Sequence, residues 1–311
     1  MKFRFNSFSE MSEILRNEGV SAEEYAIKRE AFISGQSEDA ILSEVDRRIA
    51  VTRASVIKGI TEPQYSRSGL TRGAAVAFSG SEKQLIKNDL FRRAVSYSLA
   101  INEVNVCGGK IVAFPTAGSC GIVSGAIWAW WDTKYEQREK EAPPFSKPII
   151  LAAPFPPRLR AAFLVSGLAG VLIAQQATLA GAEGGCQAEC GSAGAMAACA
   201  LAYLEELSLD ECFSAAALSL KNSLGLACDP VAGLVEIPCV KRNAFTAVNA
   251  LLAVDMTLAG IKSLIPFDEV VLAMKQIGDM MPANIRENSQ GGLAVTPTGL
   301  SLRDEFNKNF N

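Results

Sequence analysis

Histidine is absent from all 311 residues. A Ser–His–Asp triad, a Cys–His pair and a histidine-ligated zinc are therefore excluded. A general base must come from Lys, Asp, Glu, Tyr, Cys or an ionised hydroxyl. Excess charge of either sign is also missing: 30 Lys and Arg stand against 33 Asp and Glu, a net charge of −3. Without a basic stripe there is no electrostatic footprint for a nucleic-acid partner. Long hydrophobic runs are scarce. The greasiest stretch, AAFLVSGLAGVLIAQQATLAGA at 161–182, is broken by Gln175 and Gln176, short of the roughly twenty residues that span a bilayer. It is expected as a buried core helix, with no membrane partner. The opening MKFRFNSFSEMSEILRNE has no apolar leader and turns acidic quickly, so a cytoplasmic location is expected.

What is present is a 49% hydrophobic composition and eight cysteines. In a reducing compartment, clustered cysteines serve metal binding or catalysis more often than disulfides. Apolar residues three and four apart mark amphipathic helices over 9–60, and helix resumes over 84–104. Ala-rich helices are expected over 161–182, 192–209, 210–224, 243–263 and 267–281. Gly- and Ser-rich passages break the pattern at 63–83 and after 105, where one short run, KIVAF, is strand-like. The loop after it fits neither GxGxxG nor GxxxxGK[ST], but it can present backbone N–H groups to an anion at the next helix's N-terminus. Six prolines in 138–160 mark a surface excursion, and the tail from 289 reads as loop. The pattern predicts an all-α or mainly α fold, one catalytic domain over 1–311, with Gly-rich loops converging on one site.

Three cysteines stand where Gly or Pro frees the backbone. Cys186 follows Gly184–Gly185, Cys228 precedes Asp229–Pro230, and Cys239 follows Pro238. Cys199 and Cys212 lie inside helical pattern and read as core filler; Cys107 precedes Gly108–Gly109. The spacing of the three loop cysteines matches no compact CxxC site and leaves packing and ligation both open. Three thiolates on a four-iron cluster would leave one iron without a protein ligand, free to act as a Lewis acid. An electron-transfer cluster takes four.

The segments NEVN (102–105), PTAGSCGIVSG (115–125), GAEGGCQAECGSAGAMAA (181–198), LKNSLGLACDPVAGLVEIPCVKRNA (220–244) and QGGLAVTPTG (290–299) resemble the alpha chain of iron–sulfur-dependent L-serine dehydratase. The likeness runs over about residues 8–300. It implies a helical catalytic domain, a [4Fe-4S] cluster on three cysteines mapping to Cys186, Cys228 and Cys239, and no pyridoxal phosphate. It implies a small amino acid as substrate, α,β-elimination of water from L-serine to give pyruvate and ammonia, and a separate beta chain or a homo-oligomer as partner. Such chemistry needs carboxylate donors, which the loop 115–121 offers in Thr116 and Ser119, with Arg67, Ser68, Arg242 and Asn243 as further contacts. It needs a base, for which Lys221, Glu103, Lys241 or an alkoxide stand as candidates.

The chain also departs from that family. Arg67 stands where the family reads Ser-His-Ser-Gly-Leu, and a guanidinium cannot exchange a proton at ordinary pH. Cys120 and Cys190 replace small or aliphatic residues, and Ser124 replaces a common proline. Cys190 lies four residues after Cys186, on the same helix face, as a fourth ligand, a sulfur relay or packing. Other readings are β-elimination or sulfur handling on L-cysteine or another β-substituted acid, and a non-catalytic iron–sulfur sensor or electron carrier. A pyridoxal enzyme using Lys221 would need a glycine-rich phosphate loop that is not seen.

Overall fold

In a computed structural model, residues 2–138 and 153–310 are described. The chain opens with three helices whose ends are written in the sequence: α1 (Phe8–Glu18), α2 (Ala22–Ser34) and α3 (Glu38–Thr61). Ser7, Ser21 and Ser37 each accept a hydrogen bond from the backbone N–H three residues on, satisfying a donor the first turn leaves orphaned. Gly19 and Gly35 close α1 and α2 in the left-handed region. There follow α4 (Ala74–Ser79), α5 (Asp89–Val106), α6 (Cys120–Arg138) and α7 (Pro157–Gln176). Beyond these lie α8 (Gly181–Gly184), α9 (Ser192–Leu204), α10 (Leu209–Lys221), α11 (Cys239–Leu258), α12 (Phe267–Met280) and α13 (Pro297–Phe310).

Helix α9 forms the centre. Its residues 192–202 are buried on every side, as a helix apolar all round must be. Around it pack α6, α7, α10 and α11. Ala and Gly let these backbones approach closely. A Cβ on Gly121 would lie 2.2 Å from the Ser98 carbonyl oxygen, so only glycine fits where α6 crosses α5. That crossing fixes the start of α6, and with it the loop that precedes it.

The core also holds ionised groups. Arg53 makes two 3.0 Å bonds to Asp132, and the Tyr97 hydroxyl donates to the same carboxylate at 2.8 Å. Arg93 lies 3.7 Å away. Truncating one member of a buried pair strands the other. Asp132→Ala is expected to cost about 3–5 kcal/mol in urea unfolding, well beyond the effect of an exposed substitution such as Glu44→Ala.

The all-α expectation holds: among the described residues there is no strand, only isolated bridges at Tyr65–Arg72 and Cys228–Arg286. Three local expectations are corrected. KIVAF is unpaired, because among the described residues no strand lies beside it. The 63–83 loop contains α4, which borrows its N-terminal partner from a distant carboxylate rather than from its own cap. The tail forms α13, where Pro297 is well suited to the first helical position. The Pro-rich excursion lies mostly outside the described residues. Helix α7 is long and apolar enough to cross a membrane, but 61% of its apolar window is buried within the protein, as a core helix requires.

Candidate active site

Three connections converge beside the N-terminal end of α9. The first runs from α8 into a π-helical turn, Gln187–Gly191. Gly185 takes φ 74°, and a Cβ there would meet Met281 Sδ at 2.5 Å and the Leu226 carbonyl oxygen at 2.9 Å. The glycine thus allows the turn that delivers Cys186 inward. The second is the segment after α10. Cys228 N–H donates to the Ile285 carbonyl at 2.9 Å, and Glu287 N–H donates to the Cys228 carbonyl at 2.7 Å. The backbone, not the thiol, holds this segment. The third is the first turn of α11, which begins at Cys239 after Pro238.

Cys186, Cys228 and Cys239 are all buried and free of disulfides. Cys186 Sγ lies 3.3 Å from Cys190 Sγ, so the fourth thiol belongs to the same cluster. Hydrogen bonds from Cys190 and Cys228, with the Arg242 guanidinium beside it, hold the Cys186 thiol well below its ordinary range. The Cys190 thiol goes the other way, raised by that same partner and by burial. Burial, then the Cys186 charge, pushes Cys239 up to about 12.

Two carboxylates face these sulfurs. One oxygen each of Glu189 and Glu287 and the Cys228 Sγ lie within 4.8 Å of one another. Glu189 Oε2 is 4.0 Å from Cys228 Sγ. Burial pushes the Glu189 carboxyl up to about 7, with Cys186 and Glu287 acting in the same direction and the Thr116 hydroxyl, hydrogen-bonded to it, acting against them. Gly181 leaves room for the Glu189 side chain: a Cβ there would lie 2.7 Å from its Oε2. Arg242 donates to the Ala227 carbonyl at 2.8 Å and pairs with Asp229 at 3.5 Å.

The 115–119 loop closes over this group. Thr116 and Ser119 hydroxyls are 3.0 Å apart. Two buried amides grip the Gly118 carbonyl, Asn102 at 2.8 Å and Asn243 at 2.7 Å. Asn243 also accepts from Gly121 N–H at 2.9 Å and donates to the Cys239 carbonyl at 2.9 Å. Its amide is thus committed to backbone, and it ties the loop to the cysteine-bearing α11 rather than presenting donors to a ligand. Ser68 is likewise engaged, donating to buried Glu236 at 2.5 Å, while Thr71 donates to the other oxygen at 2.6 Å. Glu236, three residues before Cys239, thereby pins the loop that displays exposed Arg67.

The three base candidates lie elsewhere. Glu103 accepts from Ala74 and Ala75 N–H at 2.7 and 3.1 Å, which makes it the missing N-terminal partner of α4. Lys241 is exposed. Lys221 lines a surface groove with Leu218, Asn222 and Asn249. The residue that sequence reasoning passed over is Glu189. It lies between Cys186 and Cys190, and its place three residues after a ligand candidate was the available signal. Glu287 gave none, because it arrives from a segment distant in the chain.

The serine dehydratase alpha chain family model matches residues 11–294. The chain belongs to this family. Two of its relatives share its length as well as its sequence. A probable L-serine dehydratase alpha chain of Bacillus subtilis (strain 168) is 42% identical over 305 residues, 97% of this chain and 95% of that one. An L-serine dehydratase alpha chain of Peptoniphilus asaccharolyticus is 37% identical over 306 residues, 97% and 98% of the two chains. One from Latilactobacillus sakei, also named probable, is 45% identical over 215 residues, 69% and 94%. The family is generally iron–sulfur dependent, and a buried pocket of gathered thiols with an arginine beside them is a donor set suited to such a group.

Proposed function

We propose that this chain converts L-serine to pyruvate and ammonia with a [4Fe-4S] cluster held by Cys186, Cys228 and Cys239. The observation that carries the reading is the hydrogen bond between Cys186 and Cys228, 42 residues apart, beside Glu189 and the Thr116–Ser119 loop, with Cys239 near enough to feel the Cys186 charge. When bound through three thiolates, such a cluster supplies an electrophile for the β-hydroxyl at its open iron. The chain's own residues do the rest. The Thr116 and Ser119 hydroxyls receive the carboxylate. Glu189 is the base nearest the sulfurs and takes the Cα proton at its carboxylate oxygen. Burial keeps water from the reacting carbon. Loss of water yields aminoacrylate, which tautomerises to the imine; hydrolysis then releases ammonia and pyruvate.

The test is anaerobic loading with iron and sulfide followed by assay with L-serine. Pyruvate and ammonia should form in equal amounts, and oxygen should abolish both the activity and the brown colour. A loaded protein inert towards L-serine refutes the reading.

Cys190 offers a second reading, in which four thiolates saturate the cluster and make it an electron carrier. Cys190→Ala decides between them. Under the three-ligand assignment its iron content equals that of the unmodified chain; under the other it falls.

The alpha-chain names of the relatives also lead us to propose a separate beta chain as partner. Co-expression with a candidate beta chain should give a stable complex in size-exclusion chromatography.

A further inference from the structure

Away from the thiols, a cleft of about 340 Å³ opens between α2, α3 and α7. Its walls are largely apolar, with Ile41, Val45, Ile49, Phe163 and Leu168 among them. Phe114 forms part of the lining and stands two residues before Thr116, so an occupant would abut the segment that carries the substrate loop. A volume of this order is in the range of small-ligand sites.

Two observations indicate that the cleft is built to be filled. The first is Gly167, in the middle of α7 and part of the lining. A glycine inside a helix costs about 1 kcal/mol relative to alanine. Its neighbour Gly170 has a packing reason, since a Cβ there would meet Met196 at 2.8 Å. Gly167 has none: a Cβ there would meet nothing within 4 Å. Its effect is to leave the cleft open. The second is Arg29. Its Nε is buried without a hydrogen-bond partner, and the guanidinium is held over the Phe5 ring at 5.3 Å. The other lining arginine, Arg48, is paired with Glu44. The cleft therefore joins apolar walls to one arginine that has no ion-pair partner among the described residues.

We propose that this cleft binds a small apolar monocarboxylate, with the carboxylate on Arg29 and the hydrocarbon against α3 and α7. An Arg–carboxylate bond is charge-assisted and directional. A single charge is favoured over a phosphate dianion because Glu30 and Glu44 also line the cleft. The volume suits a chain of about five to eight carbons. Straight-chain acids from lipid and branched acids from amino-acid breakdown share this chemistry.

Calorimetric titration of the full chain tests the assignment, with hexanoate as the straight-chain probe, 4-methylpentanoate as the branched one and 1-hexanol as the uncharged control. One acid per chain is expected to bind, at least tenfold more tightly than the alcohol, and the tighter of the two acids identifies the source. Arg29→Met should erase the tenfold preference. Gly167→Phe should fill the cleft and abolish binding of all three, with a melting temperature equal to or above that of the unmodified chain. Absence of binding, equal affinity for acid and alcohol, or hexanoate binding that survives in a folded Gly167→Phe chain would each overturn the proposal.

Discussion

Cys228→Ser is expected to abolish stable iron binding, and activity with it, while leaving the fold intact. The separation of the two effects comes from how the segment is held. Its backbone makes the hydrogen bonds, Cys228 N–H to Ile285 and Glu287 N–H to Cys228, and a serine preserves both. The thiol itself faces the side chains of Cys186, Glu189 and Glu287, none of which holds the backbone. A hydroxyl at this position stays protonated and is a poor iron ligand, so one of three anchors is lost. Iron and acid-labile sulfide measured after anaerobic desalting should fall to background, with the far-ultraviolet circular dichroism unchanged. Cys186→Ser should do the same. That variant also examines Cys190, whose sulfur is 3.3 Å from the one removed. If Cys190 restored full iron content in the Cys186→Ser chain, the ligand assignment would be wrong.

The parts of this molecule that were legible in the sequence are those governed by local chemistry. Ser21 and Ser37 mark helix starts and Gly19 and Gly35 mark ends, each through a bond within its own turn, whereas the first helix, whose pattern points to a start at Ser9, is capped by Ser7. The Gly and Pro residues beside Cys186, Cys228 and Cys239 marked turns, and the turns are there. What could not be read depends on contacts made across the chain. Glu103 looked like a base because a glutamate amid polar residues carries no sign of its partner; the partner is the start of α4, 28 and 29 residues earlier. Asn243 looked like a ligand clamp, yet its position at the crossing of α6 and α11 commits its amide to three backbone groups. KIVAF has strand propensity but no neighbour to pair with, and propensity alone does not make a sheet. Glu287 enters the site only because residues 285–287 pair with Cys228, a contact with no sequence signature.

Glu189→Gln should be the most damaging substitution that leaves the thiols untouched. The amide has the size of the carboxylate and can still accept from the Thr116 hydroxyl, so the pocket keeps its shape; Gly181 continues to give it room. What it loses is the capacity to take a proton. General-base catalysis contributes about 10²–10⁴-fold to rate, or roughly 3–5 kcal/mol of barrier at 1.36 kcal/mol per tenfold. The loss should fall on kcat, with the KM for L-serine changed less than about threefold, because the base acts in the transition state and not in the resting complex. A deuterium label at Cα sharpens the test. Proton abstraction becomes the slow step once its acceptor is impaired, so a primary isotope effect should appear or grow in the Glu189→Gln chain. Iron content should remain that of the unmodified protein, since the carboxylate is not among the assigned ligands. A chain that loses its iron along with its turnover would show Glu189 to be a support for the cluster. A chain that keeps full kcat would return the search for the base to Glu287, the other carboxylate facing the sulfurs.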